Sequence, residues 1–175
     1  MADDKYQGHD YYLIDELLTD EHKLIRETVR TWVKQNVSPI IEEYAQKAEF
    51  PRHLLAGLGE IGAFGPYIPA EYGGPGLDQI SYGIIMQELE RCDSGLRSTA
   101  SVQSSLVMFP IWSYATESQK QKWLPKLATG EYLGCFGAVL DKSPWPQANI
   151  WYGCHAARRQ RTSLDSRCWP DMASC

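Results

Sequence analysis

At 175 residues, 43% of them hydrophobic and 22% charged, the chain can build one cored domain, or one domain with a tail. Its formal net charge of −5 excludes a general nucleic-acid binder, whose footprint is a basic stripe. No apolar run reaches membrane-spanning length, and five cysteines, an odd number, fit reduced thiols better than a disulfide framework.

The start, MADDKYQGHD, is acidic and has neither the regions of a signal peptide nor the arginines of a transit peptide, so a cytoplasmic location is expected. Residues 1–15 read as a loosely ordered lead-in. Thr19 caps a first helix that has Asp20 and Glu21 in its first turn, where acids suit the positive helix end. Ile25, Val29, Trp32 and Val33 form its apolar stripe. Ser38-Pro39 restarts the chain as cap and first helical residue, with Ile40, Ile41 and Tyr44 inward. Pro51 opens a third helix by the same device, with Leu54, Leu55, Leu58 and Ile61 in the core.

Residues 62–76, GAFGPYIPAEYGGPG, predict irregular backbone: a functional or mobile loop, or a connector wrapped over the helices. Asp78 caps a helix carrying Ile80, Ile84, Ile85 and Leu89 that ends at Asp93. The stretch from Glu88 to Pro110, ELERCDSGLRSTASVQSSLVMFP, organises the rest. If residues 95–108 are helical, Arg97, Ser101, Ser104 and Ser105 share a face. Two readings are open. A guanidinium backed by hydroxyls suits a carboxylate or acyl ester; a row of small residues suits close approach by neighbouring helices, and the residues alone favour the second. Pro110 is expected to kink or end this helix. Thr116 and Gln119 form a capping box, Trp123, Leu124 and Leu127 face inward, and Gly130 closes that helix. Tyr132 to Gly137, YLGCFG, predicts the start of a strand.

Beyond Gly137 the chain changes character. Residues 138–175 contain none of the twelve glutamates but three of the six tryptophans and three of the five cysteines, with no helical or strand period. An irregular, out-of-frame or unrelated tail is expected. Cys154, His155, Cys168 and Cys175 lack the paired spacing of a zinc site, so no metal ligands are assigned. Arg158-Arg159-Gln160-Arg161 is too short a basic run to serve as an address. Residues 73–76 lack the lysine and strand–helix frame of a phosphate loop. Cys92 and Cys135 read as packing residues, and none of the four histidines has a marked partner for a Ser/His/Asp grouping. The fold expected is all-α: a bundle of about six helices over 16–131, a strand beginning at 132–137, and an irregular tail over 138–175.

Three stretches, LGEIGAFGPYIPAEYGGPGLD, YGIIMQELERCDSGLRSTASVQSSLVMFPI and ESQKQKWLPKLATGEYLGCFG, resemble the amino-terminal helical domain of the acyl-CoA dehydrogenases. The run LERCDSGLRSTASVQSSLVM, continued by LGCFG, is similar to the glutaryl-CoA dehydrogenase branch. The resemblance implies an FAD oxidoreductase that removes a proton α to an acyl-CoA thioester and passes a β hydride to the flavin, with decarboxylation in the glutaryl branch. It implies an electron-transfer acceptor and a homotetramer for the complete protein. Arg97 and Ser98 fall on the branch's positions for the substrate's distal carboxylate, and Glu90 on an acidic residue near that arginine; for Glu90 a surface carboxylate at a helix end is the equal alternative. Phe136 and Gly137 match the first two positions of the flavin-binding run. The run then departs, with Ala138-Val139-Leu140-Asp141 where the family has Leu-Thr-Glu-Pro. The family's catalytic glutamate base belongs to a later domain, so no catalytic residue is assigned here. A truncated chain, inactive alone, is expected; the alternative is a non-enzymatic helical fragment or interaction module.

Overall fold

The computed structural model describes residues 10–140 and 150–158, with 136–140 and 150–158 described through their backbone alone. Helix α1 (Asp20–Asn36) begins at Thr19 as expected. The Thr19 hydroxyl accepts from the His22 N–H, and His22 Nδ1 accepts from the Thr19 N–H, so histidine takes the place of Glu or Gln in a capping box. Its stripe buries Val29 and Val33, with Ile25 and Trp32 packed beside them. Ahead of it, Asp15 of the lead-in pairs with Arg26.

Two helix starts fall later than the prolines suggest. Helix α2 (Ile41–Gln46) has no side-chain cap, because the Ser38 hydroxyl turns back to the Val33 carbonyl and Pro39 lies within the turn that leaves α1. Helix α3 (Leu54–Glu60) follows a turn in which the Pro51 carbonyl accepts from the Leu54 N–H. Leu54, Leu55 and Leu58 are core as expected.

The first half of the glycine- and proline-rich stretch is built into the core. Residues 63–68 are all buried, and Phe64 and Ile68 are among the largest fully enclosed side chains. Gly65 has φ +63°, and a Cβ there would stand 2.5 Å from Met108 Cε. Only glycine lets this loop cross so close to a core methionine.

Helix α4 (Gln79–Glu90) packs on α1. Asp78 caps it by accepting from the Ser81 N–H at 2.7 Å. Ile84, Ile85 and Leu89 are buried, while Ile80, on the same helix, is 51% exposed; Ser81 and Glu88 share the inward face instead. Asp93 caps helix α5 (Ser94–Ser101), accepting from the Leu96 N–H.

Helix α5 runs on into a π-helical segment (Val102–Met108) and then α6 (Phe109–Tyr114). Pro110, expected to kink or end the helix, stands in the first turn of α6 where the π segment gives way, and the chain stays helical through it. The Phe109 N–H bonds the Ser104 carbonyl five residues back, so the turn reaching Pro110 is already widened. This relieves the clash of a mid-helix proline ring with the carbonyl four residues earlier.

Helix α7 (Glu117–Ala128) carries the Thr116–Gln119 capping box and buries Leu124 and Leu127. Strand β1 (Tyr132–Leu140) starts where expected and runs beyond 137. It pairs antiparallel with β2 (Ile150–Arg158), Tyr132 opposite Arg158 and Leu140 opposite Ile150. This second strand corrects the expectation of a wholly irregular tail. An extended β1 needs partners for its N–H and C=O groups, and the Ile-Trp-Tyr start of β2 suits a strand. The rest of the tail, including Cys168, Cys175 and residues 159–161, lies outside the described residues.

Candidate functional site

The serine-rich rod is where the two readings of the sequence separate. Ser104 is fully buried. Its hydroxyl donates to the Ala63 carbonyl at 3.2 Å and accepts from the Gly65 N–H at 2.9 Å, while its own carbonyl accepts from the Tyr67 hydroxyl. The Ser105 hydroxyl donates to the Ser101 carbonyl, and Tyr82 reaches the Ser101 hydroxyl. Ser104 and Ser105 are engaged by backbone groups and form no row of hydroxyls behind Arg97, so close approach, the reading the residues favoured, is the one that holds. A π segment abandons the three- and four-residue stacking on which that row relied. Ser104 serves close approach by the buried loop instead.

Arg97 is held separately. Its Nε donates to Glu90 Oε2 at 2.5 Å, and the Ser94 hydroxyl donates to Glu90 Oε1 at 2.7 Å. These bonds, Arg97's first and Ser94's second, keep the Glu90 carboxyl below the usual carboxylate range. The terminal amines of Arg97 make no hydrogen bond among the described residues, and its side chain is 35% exposed. Glu90 thus anchors the guanidinium through Nε and leaves its two terminal amines, a pair able to grip a carboxylate, without a hydrogen bond among the described residues.

Next to Arg97 in sequence, Ser98 lines a cavity of about 290 Å³ together with Thr99, Val102, Gln103, Leu133 and Gly134. It lies between the α5–π rod and the start of β1. Gln103, which the sequence reading missed, is 1% exposed. Its amide nitrogen donates to the carbonyls of Leu127 and Tyr132, each at 2.9 Å, and its oxygen accepts from the Gly134 N–H at 2.8 Å. The sequence offered little signal: one amide among small and apolar residues in SVQSSLVM. Gly134 touches the π segment so closely that a Cβ would meet Val107 Cγ1 at 2.2 Å. Phe136 and Gly137 follow on β1, where only the backbone is described.

The structure brings Arg97, Glu90 and Ser94 together and sets Ser98 in the cavity; it does not place Arg97 in the cavity lining. Other readings change. Glu88, left without a role by the sequence reading, is 1% exposed and clasped by Arg30 and Arg91. Cys135, expected to pack, is exposed, whereas Cys92 is partly buried against the core. His22 does have a partner: Nε2 lies 2.9 Å from Asp78 Oδ2. Both groups are occupied in capping helices, so the pair joins α1 to α4 and activates no nucleophile. Among the described residues no three His, Cys, Asp or Glu side chains gather as a metal site, and no helix is long and apolar enough to cross a membrane.

Comparison with known proteins places this architecture. The family described as acyl-CoA dehydrogenase, N-terminal domain, matches residues 19–131. A probable acyl-CoA dehydrogenase of Bacillus subtilis (strain 168) is 41% identical over 122 residues, covering 69% of this chain and 32% of that protein. A glutaryl-CoA dehydrogenase of Desulfococcus multivorans is 33% identical over 123 residues, covering 69% and 32%. The crystal structure of a glutaryl-CoA dehydrogenase from Mycobacterium smegmatis in complex with FADH2 superposes with a TM-score of 0.66 at 40% identity, over 68% of this chain and 31% of that one. The chain spans about a third of the length of the curated relatives it matches.

Proposed function

Because this chain belongs to the acyl-CoA dehydrogenase family, we propose that it supplies the substrate-facing helical domain of an FAD-dependent enzyme acting on a dicarboxylyl-CoA such as glutaryl-CoA. In this reading Arg97 and Ser98 receive the distal carboxylate, and Glu90 orients Arg97. The observation that carries it is the anchoring of Arg97 by Nε alone, with its terminal amines left open one residue from the cavity-lining Ser98. The glutaryl-CoA dehydrogenases among its relatives support the substrate class. The acyl chain would lie along Ser98, Thr99 and Val102, where small side chains admit it to the helix surface.

The cavity here, about 290 Å³ and with Gln103 already committed to three backbone groups, is too small to seat a dinucleotide. FAD is the cofactor proposed for the complete protein, with residues outside the described ones contributing to its site. Residues 132–140 bring the chain to the flavin side, where Phe136 and Gly137 would begin that site. An electron-transfer acceptor and a homotetramer belong to the same proposal. No proton transfer is assigned to any residue of this chain.

The test joins this domain to the remainder of an acyl-CoA dehydrogenase and compares Arg97→Met with the parent. Charge-assisted hydrogen bonds contribute roughly 1.5–3 kcal/mol each, so kcat/KM for glutaryl-CoA should fall tens- to hundreds-fold. Butyryl-CoA, which has no distal carboxylate, should be affected little. Equal losses for both substrates would remove the carboxylate role.

A further inference from the structure

One side chain of the π segment joins it to the junction of α7 and β1, 24 to 31 residues further along the chain. The carboxamide of Gln103 projects from the first turn of the π segment and contacts the last turn of α7 and the first residues of β1. Its orientation is set by its partners: two carbonyls require the NH₂ end, and the Gly134 N–H requires the oxygen. Both donors are used, and the group is enclosed, so each bond is made away from competing water. Gly134, held by this amide, presses on Val107 with no room for a Cβ. The strand is therefore pulled onto the rod by a polar clamp and stopped by a backbone-to-side-chain contact. The space left between the two is the cavity lined by Ser98, Thr99, Val102 and Leu133.

We propose that Gln103 is a positioning residue whose carboxamide sets the separation of β1 from the α5–π rod and hence the width of the acyl cavity. The identity of the occupant rests on the reading of the preceding subsection; the clamp itself does not. The clamp makes cavity width a property of two residues, Gln103 and Gly134, that stand away from the Arg97 end. Acyl-chain width and distal charge are thus selected by separate groups.

The test uses the 175-residue chain labelled with ¹⁵N, as wild type, Gln103→Leu and Gln103→Glu. Leucine removes all three bonds, and glutamate keeps an acceptor for Gly134 while facing two carbonyls with oxygen. Amide hydrogen exchange at Gly134 should quicken at least tenfold in Gln103→Leu and less in Gln103→Glu. Exchange at Val29 and Ile85, in the α1–α4 pair, should stay within twofold of wild type. Unchanged protection at Gly134, or equal acceleration at all three amides, overturns the positioning role. Titration with butyryl-CoA and isobutyryl-CoA, followed at the Ser98 and Thr99 amides, then reads the cavity. A wider cavity should shift the affinity ratio several-fold toward the branched chain in Gln103→Leu, whereas an unchanged ratio overturns the claim on width. If neither thioester moves the wild-type resonances while Gly134 responds as expected, the clamp stands and the acyl reading of this cavity falls.

Discussion

Arg30 holds the carboxylate of Glu88 with two nitrogens, Nε to Oε2 and a terminal amine to Oε1, each at 3.0 Å. Arg91 adds a third contact at 3.3 Å. Glu88 is almost fully enclosed, so the charge is tolerable only because these donors surround it. The pair ties α1 to α4 across 58 positions of sequence.

Removing one partner of such a pair leaves a buried charge poorly compensated. Arg30→Met should lower unfolding stability by about 3 kcal/mol, with Arg91 limiting the loss. Arg30→Met combined with Glu88→Met should recover much of it, since apolar side chains there need no compensation. Urea unfolding of the three variants checks both parts; an unshifted midpoint for Arg30→Met would show that the clasp contributes nothing.

Gly65 and Gly76 separate two costs of replacing glycine. Both have positive φ, +63° and +69°, but a Cβ at Gly65 meets Met108 and Ile68 within 3 Å while one at Gly76 has nothing within 4 Å. Gly76→Ala should cost about 1–2 kcal/mol for the left-handed backbone alone. Gly65→Ala adds overpacking of about 1–3 kcal/mol. Thermal unfolding of the two variants should therefore rank Gly65→Ala well below Gly76→Ala.

Acid should loosen the start of α4. The Ser81 N–H, then the Ser81 hydroxyl, then His22 pull the Asp78 carboxyl down to about 2. An unfolded aspartate titrates near 3.9. The folded value is the lower one, so the unfolded state binds more protons between about pH 4 and pH 2. Stability from this group is complete above pH 4 and is lost as pH falls toward 2. Asp78→Asn keeps an acceptor for the cap but does not titrate. Its stability should vary less with pH over that window, as measured by chemical unfolding at half-unit steps; parallel wild-type and variant curves would refute the assignment.

The 175-residue chain, incubated with FAD and desalted, should remain colourless, because in the proposed reading Phe136 and Gly137 only begin the flavin site and the cavity beside Ser98 is too small for the dinucleotide. An absorbance spectrum decides this. A retained yellow spectrum near one flavin per chain would mean that this chain completes a flavin site by itself.

The sequence by itself determined most of the helical elements, three of their caps and the family. Thr19, Asp78 and the Thr116–Gln119 pair cap as read, since a cap is a contact within four residues. Apolar stripes such as Val29–Val33 and Leu124–Leu127 found the core because periodicity is local too. The long motifs led to the family, which residues 19–131 match. The exposure of Ile80 and the choice between the two readings of the serine-rich rod were not legible in the sequence. The first depends on which part of α4 meets α1, and the second on a π segment that changes the helical period in mid-rod. The burial of Glu88, the His22–Asp78 link and the Gln103 clamp were decided only in three dimensions. Each joins groups at least 24 residues apart, and no local pattern records which distant donor will surround a buried acceptor.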